Sequence, residues 1–186
     1  WRNNNWSQVD GEAVRIAVDR NGNPWVVNLS GSIFQRKNNS WQQMPGTATD
    51  IGIGANNSVW ITGTDSQNGG YSIYQWKNNN WSRVDGAGVR IAVDKNGNPW
   101  IVNSSGNIFQ RKNNRWQQMP GLATDIGIGA NNSVWITGTD RQTNGYSIFK
   151  WENNNWTKVD GEAEVISVDR NGNPWVINSN KDIFSR

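Results

Sequence analysis

Hydroxyl, carboxylate and amide side chains are concentrated in a segment that occurs twice, as TGTDSQNGGYS at residues 62–72 and as TGTDRQTNGYS at residues 137–147. Carboxylates and planar amides can hydrogen-bond the adjacent hydroxyl groups of a sugar, and an aromatic ring can cover its flat C–H face. A shallow site with both kinds of group would suit a carbohydrate. The predicted contacts in these segments are Thr64, Asp65, Gln67 and Tyr71, with Thr139, Asp140, Gln142 and Tyr146.

A second set of polar residues lies in short turns and in Val-Asp-Gly bends that recur along the chain. If such a turn and such a bend meet between two neighbouring units, they form a pocket there. The predicted contacts are Asn28 and Ser30, Asn103 and Ser105, and Asn178 and Asn180, beside Asp10, Asp85 and Asp160. The alternative is that these side chains satisfy backbone groups of their own turns, as Asn, Asp and Ser commonly do.

The long segments favour a ligand role over a purely structural one. They are predicted to be eleven-residue loops, beside the Met-Pro-Gly bends, that join the second and third strands of a unit. A loop of this length is not needed to join two strands. Its two copies differ at the tip, where Ser66, Asn68 and Gly69 of the first copy correspond to Arg141, Thr143 and Asn144 of the second. Loops of this kind often carry function.

The composition excludes several classes of function. The chain of 186 residues contains no His and no Cys, which removes the usual general base, thiol nucleophiles and the commonest zinc ligands. We therefore expect a protein that is not an enzyme and that binds no cofactor and no metal. The DRNGN turn at residues 19–23 resembles the start of a calcium-binding loop, but no bidentate Glu follows it at the position that such a loop requires. The net charge of +3 is scattered, which argues against nucleic acid, and no apolar run is long enough for membrane insertion.

The whole chain is an internal repeat with a period of 75 residues. Residues 1–36 differ from residues 76–111 at eight positions, and residues 37–75 differ from residues 112–150 at seven. Each period contains a shorter unit, called A, and a longer unit, called B. The A units begin at Trp6, Trp81 and Trp156, and the B units begin at Trp41 and Trp116.

Each unit contains four short strand-like runs, which in the first A unit are residues 14–18, 24–28, 32–37 and 40–44. The Asn-Gly of DRNGN is expected to form a primed two-residue hairpin turn. Four antiparallel strands in units of about 40 residues predict an all-β fold, a β-propeller of four-stranded antiparallel blades in one domain spanning residues 1–186. Most of the 13 Trp residues are expected to pack between blades.

The opening Trp of each unit, the VDG and MPG bends, the Val-Trp of the second strand and NSSGNIFQR at residues 103–111 together resemble tectonin repeats. The resemblance covers the chain unit by unit. It implies non-enzymatic recognition of glycans, including bacterial lipopolysaccharide, through shallow sites repeated around a six-bladed ring. This sequence departs from the tectonin pattern in two ways: it has bulky residues in the second strand, and its B units contain the long segment. Because of the long segment, the sugar-contacting residues of the family cannot be assigned directly to positions in this chain.

We therefore predict a multivalent lectin that binds cell-surface glycans or bacterial polysaccharide and agglutinates cells, because a second contact to the same surface is effectively intramolecular. The alternative is a protein-interaction propeller or a sensor scaffold, since DRNGNPW is also similar to a hairpin of two-component sensor propellers. The expected state is a monomer or weak homo-oligomer, and the expected location is secreted or cell-surface, with the cytosol as the alternative.

The order of the units predicts how the ring closes. Trp1 matches Trp76 and Trp151 of B units, whereas Arg186 matches Arg36 and Arg111 of A units. The five units run ABABA, and three full periods would need 39 residues more than the 186 present. We expect an intact ring of six blades, ABABAB; the alternative is a closed five-bladed ring whose last blade is completed by the N-terminal strand.

Overall fold

The computed structural model describes residues 7–186, which form five antiparallel β-sheets arranged as the blades of a propeller. Blade 1 contains β1 (Arg15–Val18), β2 (Pro24–Val27), β3 (Ser32–Lys37) and β4 (Ser40–Thr47). Blade 2 contains β5 (Asp50–Ile53), β6 (Val59–Gln67), β7 (Gly70–Lys77) and β8 (Asn80–Gly88). Blade 3 contains β9 (Arg90–Val93), β10 (Pro99–Val102), β11 (Asn107–Lys112) and β12 (Arg115–Leu122). Blade 4 contains β13 (Asp125–Ile128), β14 (Val134–Gln142), β15 (Gly145–Glu152) and β16 (Asn155–Ala163). Blade 5 contains β17 (Val165–Val168), β18 (Pro174–Ile177) and β19 (Ile183–Ser185).

The predicted all-β propeller of antiparallel blades in the order ABABA is confirmed: the first three strands of blades 1, 3 and 5 come from A units and those of blades 2 and 4 from B units. No helix occurs between residues 7 and 186, so none there could cross a membrane. The predicted closing strand at residues 1–6 lies outside the described residues. A sixth blade stays a prediction.

The tight turns that join third and fourth strands are made by Asn-Asn pairs. Asn38 and Asn39 have φ angles of 51° and 63°, and the equivalent pairs in blades 2 to 4 are alike. Two successive positive φ angles define the primed turn that fits the twist of a hairpin. The prediction of such a turn at Asn-Gly is wrong, since in DRNGN only Gly22 has a positive φ, 84°, and its N–H donates to the Asp19 carbonyl at 2.9 Å.

The predicted eleven-residue loops are also wrong, because each segment is the end of a long β-hairpin. In blade 2, Gln67 pairs with Gly70 and Ser66 pairs with Tyr71, which leaves only a two-residue turn at the tip. An irregularity in pairing between Thr62 and Ser66 separates this extension from the rest of the blade. Asp, Ser, Gln and Gly are poor strand formers, so their composition indicated a loop. Blade 4 has the same extension.

Apolar side chains from neighbouring blades form the core between them. Trp25 of blade 1 packs with Ile51 and Ile61 of blade 2, and its ring meets that of Trp76 edge to face with 6.5 Å between centroids. Blades 3 and 4 repeat this arrangement with Trp100 and Trp151 at 6.4 Å, and the other two interfaces also bury Trp, Ile and Val. The prediction that Trp residues pack between blades is confirmed at four of the five second strands, where Trp25, Trp60, Trp100 and Trp135 are buried.

The innermost strands are joined by a carboxylate from each B blade. Asp50 of blade 2 accepts a hydrogen bond from the Ile91 N–H of blade 3 at 3.0 Å, and its other oxygen lies 3.3 Å from Nε of Arg15 in blade 1. Burial raises the pKa of Asp50 to about 6, against the opposing effect of the hydrogen bond from Ile91. Asp125 links blades 3 and 5 in the same way, through Arg90 and the Ile166 N–H.

Candidate functional site

Polar side chains from the hairpin extensions and the outer strands meet where a B blade borders the following A blade. Junction 2/3 is a concavity of about 500 Å³ that is lined by blade 2 alone, including Gln67, Asn68, Arg83 and Asp85, beside the contact of blade 2 with blade 3. Junction 4/5 is a concavity of about 680 Å³. Its lining includes Gln142, Asn144, Ser147, Lys158, Asp160 and Asn178. The structure therefore brings Gln67 together with Asp85, and Gln142 together with Asp160 and Asn178.

The tip of each hairpin extension rests on the next blade, and this contact fixes the wall of the concavity. The Gly69 carbonyl accepts a hydrogen bond from the Ser104 N–H at 2.9 Å, and the Asn144 carbonyl accepts one from the Ser179 N–H at 2.9 Å. Gly70 has a φ of 135°, and a Cβ built on it would lie 2.6 Å from the Gly88 backbone. Glycine is therefore required where the hairpin passes over the outer strand.

The asparagines of the A-unit turns hold their own turns. Asn28 accepts the Ser32 N–H at 2.8 Å, Asn103 accepts the Asn107 N–H at 2.9 Å, and Asn178 accepts the Asp182 N–H at 2.9 Å. These oxygens are occupied by backbone donors, so the structural alternative describes them better than a ligand role does.

The remaining turn residues differ in their partners. The Ser30 hydroxyl donates to the Asn28 side chain at 2.8 Å, whereas the Ser105 N–H donates to Asn103 at 3.0 Å and its side chain is exposed. Asn180 donates through Nδ2 to Oδ1 of Asn144 at 3.3 Å. Asn180 therefore supports the hairpin tip of blade 4 at junction 4/5.

The aspartates of the Val-Asp-Gly bends lie on the outer rim of the ring. Asp10 pairs with Arg36 at 2.7 Å and Asp85 pairs with Arg111 at 2.6 Å. The Arg111 guanidinium also lies over the ring of Trp116, 5.3 Å from its centroid, and that Trp donates through Nε1 to the Asp85 carbonyl at 2.8 Å. Asp85 is thus an exposed carboxylate held in place by two neighbours, while Asp160 makes no ion pair within residues 7–186.

Asp140 adds a second carboxylate near junction 4/5. It accepts hydrogen bonds from the Ser147 hydroxyl at 2.5 Å and from Nε2 of Gln142 at 3.3 Å, and Nζ of Lys158 lies 3.9 Å away. Hydrogen bonding from Ser147 lowers the pKa of Asp140 below its ordinary value. The carboxylate is therefore ionised at neutral pH and orients two residues that line the concavity.

Asp65 occupies the equivalent position in blade 2. It accepts a hydrogen bond from the Tyr74 hydroxyl at 3.2 Å, and hydrogen bonding from Ser72 lowers its pKa. The Ser72 hydroxyl also accepts a hydrogen bond from Arg83 at 3.0 Å. Asp65, Ser72 and Arg83 thus form a polar cluster beside junction 2/3.

The predicted threonines and tyrosines are not brought into the concavities. Thr64 shares a 2.7 Å hydrogen bond with Thr47 of blade 1, on the opposite side of its blade, and Thr139 faces Gly106 in the equivalent position. Tyr71 is half-buried, and the ring of Tyr146 is covered by the Arg141 guanidinium at 5.0 Å. Neither tyrosine ring lines a concavity.

Arg83 and Lys158 are site residues that sequence reasoning missed. Each lies two residues before the predicted aspartate, on the same face of the outer strand, and each contacts the cluster around Ser72 or Ser147. The period-2 spacing of Arg83 and Asp85 was the available signal, since alternate residues of a strand share a face. Within residues 7–186 no three His, Cys, Asp or Glu side chains are grouped in a way that could hold a metal ion.

Comparisons with known proteins support the repeat assignment. The Tectonin domain model matches residues 1–71 and 88–186. The chain belongs to the tectonin family. Tectonin propellers are typically non-enzymatic. Comparison with curated protein sequences gives no match.

Two solved structures share the propeller fold of this tectonin chain. One is "YCF48 bound to D1 peptide", with a TM-score of 0.61 and 16% identity over 96% of this chain and 67% of that one. The other is the WD40 β-propeller domain of Doa1, with a TM-score of 0.65 and 15% identity over 88% of this chain and 60% of that one. At these identities the likeness concerns the fold alone.

Proposed function

We propose that this tectonin propeller is a lectin that binds glycans at junctions 2/3 and 4/5. The observation that carries the proposal is that two equivalent junctions each present an amide, a cation and a carboxylate to solvent: Gln67, Arg83 and Asp85 at one, and Gln142, Lys158 and Asp160 at the other. Amides and carboxylates can bind neighbouring sugar hydroxyls in a bidentate manner.

The composition of junction 2/3 favours the polar edge of a sugar over its flat face. Among the described residues, those that line it include no aromatic ring, and its apolar contribution comes from Val84 and Ala87. A ligand at this junction is held mainly by hydrogen bonds in an open setting, where a single contact is weak. Two such sites on one ring strengthen binding to a surface with many copies of the sugar, because the second contact is effectively intramolecular.

Binding of a protein segment is the second candidate function. It is favoured by junction 4/5, whose lining adds the exposed ring of Phe184 to the polar residues, and by the fold likeness to YCF48 bound to the D1 peptide. A peptide at this junction would combine an apolar contact with hydrogen bonds to Gln142 and Asp160. A glycan array distinguishes a sugar ligand from a peptide ligand, because only a sugar ligand gives binding on it.

The test is a glycan array probed with the wild type and with the double variant Gln67→Ala/Gln142→Ala. Removal of one neutral hydrogen bond per site is expected to weaken each site by about tenfold, and the loss is larger on a surface that engages both sites. The matched control is Gln42→Ala/Gln117→Ala, which removes two exposed glutamines on β4 and β12 outside both concavities. Absence of glycan binding by the wild type, or equal loss in the control, would overturn the proposal.

A further inference from the structure

Asparagine is followed by glycine at five places in the chain, and such a pair is prone to spontaneous loss of the asparagine side-chain amide. In this reaction the backbone nitrogen of the glycine attacks the side-chain carbonyl carbon, and a residue without a Cβ leaves that approach unhindered. The five asparagines are Asn21, Asn68, Asn96, Asn144 and Asn171. They differ in whether the folded chain leaves the glycine N–H free to react.

Three of the five pairs lie in equivalent turns that hold the glycine nitrogen. The N–H groups of Gly22, Gly97 and Gly172 each donate to the carbonyl of the aspartate three residues earlier, at 2.9, 3.0 and 3.1 Å. The asparagine N–H of each turn donates to the carboxylate of the same aspartate, at 2.9, 2.9 and 2.8 Å. All three asparagines are exposed, so these hydrogen bonds, and not exclusion of water, protect them.

Asn144, at the tip of the blade 4 hairpin, is held by its neighbours. Its N–H donates to Glu162 at 2.6 Å, and its side-chain oxygen accepts a hydrogen bond from Nδ2 of Asn180 at 3.3 Å. Gly145 pairs with Gln142 across the two-residue turn, where the N–H of the last residue closes the turn onto the first carbonyl. The nitrogen and the side chain are therefore both restrained.

Asn68, at the tip of the blade 2 hairpin, has none of these restraints. Its side chain is exposed, and within residues 7–186 neither its amide nor the Gly69 N–H has a hydrogen-bond partner. Gly69 is tied only through its carbonyl, which accepts from the Ser104 N–H at 2.9 Å. Blade 4 has Thr143 and Asn144 at these two positions, so the unrestrained Asn-Gly pair is a difference between the two hairpins.

We propose that Asn68 is a site of spontaneous deamidation in the folded protein. The Gly69 nitrogen gives up its proton and bonds to the side-chain carbonyl carbon of Asn68. The bond from that carbon to the amide nitrogen breaks, and the amide takes up the proton and leaves as ammonia. Water then opens the cyclic imide at either carbonyl, which gives aspartate or isoaspartate. No oxidant, reductant or cofactor takes part.

The reaction changes junction 2/3 and leaves junction 4/5 as it is. Asn68 lines the concavity of junction 2/3, so either product adds a negative charge to a lining that already contains Asp85. Isoaspartate also carries the chain through its side-chain carbon, which lengthens a two-residue turn and moves the Gly69 carbonyl away from Ser104. The wall of the concavity is then no longer fixed to blade 3.

Peptide mapping by mass spectrometry tests the proposal without any ligand, so its outcome is independent of glycan binding. The folded protein and the urea-unfolded protein are incubated in mildly alkaline buffer, and zero-time samples are digested alongside. In the unfolded chain all five Asn-Gly pairs should react at similar rates. In the folded chain Asn68 should react at least about tenfold faster than the other four, because each of those must first break a hydrogen bond.

Two variants locate the cause in the hairpin tip. Asn68→Thr gives blade 2 the residue found in blade 4 and should remove the fast reaction. Thr143→Asn/Asn144→Gly gives blade 4 the tip of blade 2 and should create a second fast site there. A folded wild type in which another Asn-Gly pair reacts as fast as Asn68, or in which Asn68 stays intact, would overturn the proposal. A folded double variant without a second fast site would contradict it as well.

Discussion

Protonation of Asp50 should make the stability of the propeller depend on pH in a direction opposite to that of most carboxylates. The pKa of Asp50 is raised from an ordinary value of 3.8 to about 6 in the folded protein, because burial disfavours the charged form more than Arg15 and the Ile91 N–H favour it. The folded state therefore binds this proton more tightly than the unfolded state does. Stability from this residue is greatest below pH 3.8 and declines as the pH rises to 6.

The size of this effect follows from the difference between the two pKa values. Each pKa unit corresponds to about 1.4 kcal/mol, so the shift of Asp50 costs about 3 kcal/mol of unfolding free energy above pH 6. In Asp50→Asn the group does not titrate, and the amide oxygen can still accept from Ile91. The unfolding free energy of the variant minus that of the wild type should therefore rise by about 2.4 kcal/mol between pH 4 and pH 7, since about 0.6 kcal/mol of the full effect is already present at pH 4.

Denaturant unfolding of both proteins at pH 4, 5, 6 and 7 measures this difference, and Asp10→Asn, at an exposed carboxylate, is the control. Carboxylates whose pKa values are lowered, such as Asp65, Asp140 and Asp169, lose stabilisation on acidification, but they are present in both proteins and cancel in the difference. A difference that is constant across the four pH values, or one that falls as the pH rises, would refute the reasoning.

Further substitutions test packing and backbone geometry. Trp100→Ala should lower the free energy of unfolding by about 3–5 kcal/mol, since Trp100 is buried between blades 3 and 4. Trp175→Ala should lower it by only about 1 kcal/mol, since Trp175 is half exposed. Equal losses in denaturant unfolding would contradict this difference. Gly70→Ala should lower the free energy of unfolding by about 2 kcal/mol or more and weaken ligand binding at junction 2/3, because the added Cβ would meet the Gly88 backbone. Gly22→Ala should lower it by only about 1 kcal/mol, because the added Cβ meets nothing within 4 Å and the cost comes from the positive φ alone.

Much of the blade structure could be predicted because turn residues and strand residues alternate at short range. The predicted strands at residues 24–28 and 32–37 agree with β2 and β3 to within one residue. The hairpin extension could not be predicted in the same way, since residues 62–72 lack β-branched and aromatic residues apart from Thr and Tyr71, and the hydrogen bond of its tip to Ser104 of the next blade is a long-range contact.

The candidate site was predictable only in outline. Gln67, Asp85 and their equivalents were predicted from their chemistry, and the structure places them together, because Asp85 lies in the outer strand β8, which pairs with the hairpin strand β7. Thr64 was chosen on the same grounds but lies on the opposite side of the blade, against Thr47. The irregular pairing between Thr62 and Ser66 decides which of these side chains reach the junction, and no local sequence signal reports it.

The most direct test of glycan binding at the B-to-A junctions is a crystal structure of the protein soaked with the strongest-binding oligosaccharide from the array. Glycan binding at these junctions predicts sugar density at junction 2/3 within hydrogen-bond distance of Gln67 and Asp85, and at junction 4/5 beside Gln142 and Asp160. Density confined to the A-to-B junctions around Thr64 and Thr139 would contradict it.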